Sequence, residues 1–169
     1  LAYELPVIVG NEVGVPSDNV LICHTHTHTG PHIDSYRIPG DPVFIEHYKK
    51  CLVECARLAV EDLKKLKETR LGEGSVPHMT APRRFKMKNG TYRTWGINGD
   101  PEIVSYACKT DESFRIIRYI RESGPEVVLM NFQCHPDCVG GTLYSSDFPG
   151  AFRRAIEEEN PNAKAVFIN

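Results

Sequence analysis

Phe114-Arg115-Ile116-Ile117-Arg118-Tyr119-Ile120 and Glu126-Val127-Val128-Leu129-Met130-Asn131-Phe132, separated by Arg121-Glu122-Ser123-Gly124-Pro125, decide the reading of the fold. Each run is dense in β-branched, aromatic and aliphatic residues, which favour extended chain. A connection this short, carrying a Gly-Pro pair, leaves no room for a crossover, so the two strands predict an antiparallel hairpin. Beyond it, 149–158 predicts a helix with Ser146 or Asp147 near its N-cap, and Ala163–Ile168 predicts a further strand.

Upstream of the hairpin, the Asp18-Asn19 turn signal precedes Val20-Leu21-Ile22-Cys23, a continuous apolar run of the kind a buried strand makes. Pro39-Gly40-Asp41-Pro42 marks a turn in which Asp41 and Pro42 suit the N-cap and first helical position. Phe44, Tyr48, Cys51, Leu52, Cys55, Ala59, Leu63 and Leu66 then recur at spacings of three and four, predicting one long amphipathic helix around 42–67. Its other side, with Glu46, Lys49, Lys50, Glu54, Glu61, Asp62 and Lys65, reads as a solvated face. Between 71 and 111 the chain is rich in Gly, Pro, Lys and Arg with little periodicity, which predicts loop with short strands. Helices and strands mix without strict alternation, so the class is α/β, with a mixed sheet and flanking helices.

With 169 residues, the chain suits a single domain over 1–169. Hydrophobic residues at 41% and charged residues at 25% are an ordinary globular mix, so no part reads as disordered. Twenty Lys and Arg against 22 Asp and Glu leave a net charge of -2, which supplies no cationic field for nucleic acid or an anionic membrane. No apolar run reaches the roughly 18 residues of a transmembrane helix, and the first ten residues lack a signal-peptide pattern. The chain opens on Leu1 rather than Met, as a processed or trimmed piece does. Cys23, Cys51, Cys55, Cys108, Cys134 and Cys138 include no Cys-x-x-Cys and read as reduced thiols, an expectation that leans towards the cytoplasm.

Chemistry concentrates at two places. Cys23-His24-Thr25-His26-Thr27-His28-Thr29-Gly30-Pro31-His32 sets three histidines two apart after an apolar run, so in extended backbone His24, His26 and His28 share a face. Asn131-Phe132-Gln133-Cys134-His135-Pro136 is a second strand end closed by a histidine and a turn-forming proline. If the two ends lie side by side, His135 joins the cluster from a neighbouring strand. Neutral imidazole is the commonest zinc ligand, and catalytic zinc sites usually combine three protein ligands with an open position, so Zn²⁺ hydrolysis is the reaction class expected. Pro82-Arg83-Arg84-Phe85 offers a guanidinium fork for an oxyanion or carboxylate. His47 and His78 stand alone and read as structural.

Thr25-His26-Thr27-His28-Thr29-Gly30-Pro31 resembles the Thr-His-Thr-His-Ser-Gly-Pro signature of the neutral/alkaline, non-lysosomal ceramidase family, with Thr for Ser. His135-Pro136 followed by Ser145-Ser146-Asp147-Phe148-Pro149-Gly150 is similar to the family's second signature, a His-Pro strand end followed by Ser-x-Asp and a Gly-bearing helix. The Pro82-Arg83-Arg84-Phe85-Lys86-Met87-Lys88 stretch is similar to the arginine-bearing loop of bacterial relatives, and the likeness extends over about 20–169. The resemblance implies that His26 and His135 bind zinc, and that His28 and Arg83, or Arg84 in its place, face the substrate carbonyl or the bound water. It implies hydrolysis of the amide of an N-acyl sphingoid base. His24 lies outside the motif, as a strand residue or a neighbour of the ligands, and His32 replaces a glycine. The family's remaining ligands, a Glu and a Tyr, lie downstream of the position of Asn169. The expectation is therefore an incomplete part of a larger catalytic domain, one that binds zinc weakly and has little amidase activity by itself.

The substrate is less defined than the chemistry: a small-molecule amide or a lipid fits, yet no strongly apolar insertion marks a lipid pocket. Competing readings are an amidohydrolase-like metal hydrolase, for which the chain is short against a barrel of about 250 residues, a non-catalytic metal-binding module, and histidines that bind no metal.

Overall fold

The computed structural model describes residues 3–33, 39–94 and 99–169. In chain order the elements are α1 (Glu4–Val13), α2 (Pro42–Glu61), β1 (Leu66–Ser75), β2 (Arg84–Met87), β3 (Tyr92–Thr94), β4 (Ile103–Tyr106), β5 (Ser113–Arg121), β6 (Glu126–Phe132), α3 (Asp147–Glu159) and β7 (Ala163–Ile168), with a 3-10 turn at Ser17–Asn19. One sheet runs β1-β5-β6-β7 and a smaller antiparallel one runs β3-β2-β4. In the larger sheet β1/β5 and β5/β6 are antiparallel while β6/β7 is parallel, so the sheet is mixed and the class is α/β.

The β5–β6 hairpin forms as read, with Phe114 opposite Phe132 and Tyr119 opposite Val127. Gly124 takes φ 73° in the connection, a conformation that costs glycine nothing. Arg121 Nε closes the turn on the Pro125 carbonyl at 2.7 Å. Beside this, Glu126 is buried and anchors the start of β6: its carboxylate accepts from Arg118 Nη2 at 2.6 and 2.8 Å and also from Asn160 Nδ2.

Strand β6 alternates buried and half-buried positions, with Val128, Met130 and Phe132 on the inner face beside Ala163, Ala165 and Phe167 of β7. Helix α3 covers that face with Phe148, Phe152 and Ile156, spaced four apart and therefore aligned on one side. The Phe152 ring sits 5.7 Å from Phe114 and 5.6 Å from Phe148, centre to centre, within the range of favourable edge-on aromatic contacts. Parallel strands need a crossover, and α3 supplies it. As a result, the carboxyl ends of β6 and β7 open on the same edge of the sheet, where open α/β sheets usually hold their ligands.

Four departures from the sequence reading have physical causes. Helix α2 begins as expected, with Asp41 Oδ1 accepting from Val43 N at 2.8 Å, but ends at Glu61 rather than near 67. The chain beyond is pulled into the sheet. Arg121 Nη1 binds the Asp62 carbonyl at 2.9 Å and its carboxylate at 2.7 Å, and Glu122 N donates to the Lys65 carbonyl at 2.9 Å. Strand β1 replaces part of the expected loop over 71–111. It is exposed along its whole length, so it has no alternating pattern to read; pairing with β5 defines it.

Helix α1 carries Pro6 and Gly10 within an apolar stretch and has no helical signature of its own. Packing of the buried Leu5 and Val9, with a Lys49 Nζ to Glu4 Oε1 bond of 2.8 Å to α2, holds it. The run from Val20 to Cys23 is not a strand. Among the described residues it joins no ladder, and Leu21 is 81% exposed.

Among the described residues no helix is long and apolar enough to cross a membrane. All six cysteines are free thiols.

Candidate metal centre

His135 leaves the carboxyl end of β6 through two tight turns, with Cys134 N to Phe132 O at 3.0 Å and Asp137 N to His135 O at 2.9 Å. The following Pro136 is fully buried, which pins the turn. His26 approaches from the other side in an irregular segment, and its φ of 66° places it in the left-handed region. For a non-glycine residue that conformation costs on the order of 1–3 kcal/mol and persists where the surroundings enforce it. Asn169, just past β7, donates from Nδ2 to the Thr25 carbonyl at 3.4 Å and ties the two ends together.

The rings of His26, His28 and His135 converge. Their centroids are 5.1 Å apart for His26 and His28, 5.0 Å for His26 and His135, and 4.6 Å for His28 and His135. Each ring offers one nitrogen within 4.8 Å of the others, so the three imidazoles can hold a metal ion. His26 Nε2 and His28 Nε2 are 3.3 Å apart. His135 Nε2 is buried without a hydrogen-bond partner among the described residues. An orphaned buried nitrogen is rare in native proteins, and here it leaves a lone pair able to bind a cation.

Burial, then the positive charges of Arg83, His28 and His26, push the His135 imidazole below its ordinary value, with Asp137 opposing them. That keeps the ring neutral, the form that binds metal.

His24 does not join the cluster. The left-handed backbone at His26 breaks the extended geometry that would align all three rings, and His24 Nε2 instead meets the Tyr48 hydroxyl at 3.1 Å. The arginine pair divides. Arg83 lines a cavity of about 340 Å³ together with His26, His135, Gln133, Lys109 and Asn169. Arg84 lies with its guanidinium carbon 5.5 Å from the centre of the Tyr92 ring. A second cavity of about 660 Å³, lined by Leu5, Ile33, Phe44 and Tyr48, shares His26 as a wall. His47 and His78 stay apart from the cluster, His47 Nε2 lying 3.4 Å from Cys51 Sγ on α2.

Two acidic residues matter beyond those singled out as ligands or catalytic groups. Asp137 sits between two of the rings, its Oδ1 3.4 Å from His28 Nδ1 and its Oδ2 3.8 Å from His135 Nε2. Its place two residues after a candidate ligand is the signal that finds it. Asp147 is 4% exposed, with φ 53°, and works as a staple. Its carboxylate accepts from Cys138 N and Val139 N at 2.9 Å each and from Phe148 N at 2.6 Å. Burial raises its pKa, but these N–H donors outweigh it and hold the carboxyl below the usual range.

No protein-family model matches the chain, and comparison with curated proteins finds no match.

Proposed function

We propose that this chain carries the metal-binding part of a zinc-dependent hydrolase that cleaves an amide, in the manner of the neutral ceramidases it resembles. The observation that carries the reading is the convergence of His26, His28 and His135 on one position from opposite ends of the chain. Three imidazoles suit Zn²⁺, which binds the neutral ring and in catalytic sites takes three protein ligands and leaves a position open.

A zinc ion held there would supply Lewis acidity and bring the pKa of a coordinated water down toward about 7. His26 and His135 serve as ligands, and His28 contributes the third imidazole from the same position. Arg83 and Lys109, on the wall of the smaller cavity, provide positive potential for a carbonyl oxygen as negative charge builds on it. Donors and charges fixed in advance need not reorganise when that charge develops, which is why they favour the transition state.

The larger cavity on the other side of His26, lined by Leu5, Ile33, Phe44 and Tyr48 beside Thr25 and Thr27, would take the hydrocarbon part of a lipid amide, which supports an N-acyl sphingoid base over a small polar amide. Hydrolysis of an N-acyl sphingoid base by a form of the protein that carries the full ligand set, compared among wild type, His26→Ala and His135→Ala with circular dichroism on each, tests the reading. Lost activity with the fold intact supports catalysis. Loss of the fold on either substitution identifies a structural metal instead, and unchanged hydrolysis in both variants overturns the proposal.

A further inference from the structure

We infer that Asp137 is a positioning residue that orients the imidazole cluster, holding the proton of His28 on Nδ1 so that Nε2 keeps its lone pair for the ion. The inference rests on the reading that the cluster binds a metal. A neutral imidazole carries one N–H and one lone pair, and an ionised carboxylate only accepts, so a carboxylate at one ring nitrogen selects the tautomer with the proton on that side. The two nitrogens of His28 face different neighbours: Nε2 lies 3.3 Å from His26 Nε2, inside the cluster, and Nδ1 lies 3.4 Å from Asp137 Oδ1, outside it. This is the arrangement by which ligating histidines are aimed at metals, through a carboxylate on the nitrogen remote from the ion.

Asp137 is not an ordinary surface acid. Its side chain is 49% exposed, but its backbone is held from both sides. On one side its own N–H binds the His135 carbonyl at 2.9 Å and Pro136 is buried. On the other, the next two residues, Cys138 and Val139, donate their N–H groups to the buried Asp147. The side chain is therefore delivered to one place, with its second oxygen 3.8 Å from His135 Nε2. A separation of 3.4 Å exceeds the 2.7–3.2 Å of a formed N–H···O bond, so the carboxylate acts on the Nδ1 side of the ring by its nearby charge. Asp137 thus acts on His28 from a fixed turn, and its charge partly offsets that of a divalent ion.

The test uses zinc and cobalt(II) alone as probes on wild-type protein, Asp137→Ala and Asp137→Asn, together with long-range proton–nitrogen spectra of the histidine rings in the metal-free protein. Wild-type His28 is expected to show the Nδ1–H tautomer. Asp137→Ala is expected to shift His28 towards the Nε2–H form and to weaken zinc binding by about 10–100-fold. Asn, whose carboxamide oxygen faces the same N–H without the charge, is expected to restore only part of both. A cobalt(II) spectrum of unchanged band shape in Asp137→Ala is expected of a residue that acts through His28, and a changed band shape overturns the positioning role in favour of direct ligation. Zinc affinity equal to wild type in Asp137→Ala, or an unaltered tautomer, overturns the inference while leaving the metal reading intact if His26→Ala still loses zinc. A wild-type protein that binds no zinc overturns both.

Discussion

Thr29 and Ser145 are joined across the chain by reciprocal bonds: Ser145 N–H donates to the Thr29 carbonyl at 3.1 Å, and Thr29 Oγ1 donates back to the Ser145 carbonyl at 3.4 Å. Thr27 Oγ1 adds a third bond to the same carbonyl at 3.0 Å. The segment that carries His26 and His28 is thereby fixed to the start of α3. Two residues on, Asp147 fixes the segment that follows His135 to that same start. One short stretch, 145–147, registers both histidine segments against each other.

Asp147→Asn is expected to destabilise the fold by about 1–3 kcal/mol at neutral pH, the range for loss of a charged acceptor from buried N–H donors. It is also expected to weaken metal binding, because the segment that follows His135 loses its anchor to the start of α3. The pH dependence follows from the sign of the shift. The folded carboxyl lies below its ordinary value of 3.8, so the unfolded chain binds the proton first; the stabilisation is complete above 3.8 and is lost as pH falls through the lower folded value. Acid unfolding of the two proteins checks this: their stability difference is expected to shrink below pH 3.8, and a difference that grows there contradicts the account.

Gly150→Ala is expected to disturb the same region. A Cβ at residue 150 would lie 1.8 Å from Ser146 Oγ and 2.6 Å from Ser146 Cβ. Rotating the serine hydroxyl relieves the first clash and leaves the second, so the first turn of α3 must shift. Thermal unfolding and zinc affinity are both expected to fall relative to wild type, whereas Ala151→Gly one residue away is expected to change stability by only about 1 kcal/mol, the helix propensity difference.

Met130 is fully buried between the sheet and α3. Met130→Ala is expected to cost about 2–5 kcal/mol by lost burial and the cavity left behind. Denaturant unfolding measures it, and a cost below 1 kcal/mol would show that α3 does not pack on this face as described.

The two arginines offer a paired comparison. In a form of the protein that carries the full ligand set, Arg83→Ala is expected to lower kcat/KM for amide hydrolysis by about 10²–10³, the usual effect of removing one donor from an oxyanion site. Arg84→Ala, at the Tyr92 ring and away from the cavity, is expected to leave it nearly unchanged. Steady-state kinetics on both variants decide between them, and equal losses would remove Arg83 from the proposed chemistry.

How far these features were legible depends on whether the cause was local. The β5–β6 hairpin could be read because both strands carry their own apolar pattern and the turn its own Gly-Pro. Strand β7 and helix α3 were readable for the same reason, with Phe148, Phe152 and Ile156 at helical spacing. Strand β1 was not, since an exposed edge strand of mixed charge is defined by the neighbour it pairs with rather than by its own sequence. The end of α2 was misplaced because Arg121, far along the chain, captures Asp62. Val20-Leu21-Ile22-Cys23 failed in the opposite sense: a strand-like composition makes no strand without an edge to join.

At the site, His26 and His135 stood out because each follows an apolar run and precedes a turn. That His28 rather than His24 keeps company with them depends on one backbone angle at His26, which the alternating His-Thr pattern conceals. Asp137 and Asp147 owe their contacts to atoms brought near by folding, and the sequence marks them only by position, Asp137 two residues after a candidate ligand and Asp147 at the start of a helix.

The central claim is that three imidazoles from two distant segments share one ion. Zinc titration of the purified protein, followed up to saturation by isothermal titration calorimetry, tests it most directly. The account predicts one zinc per chain in the wild type and its loss in both His26→Ala and His135→Ala with the fold retained. A wild-type protein that binds no zinc, or variants that bind it without either histidine, would contradict the claim.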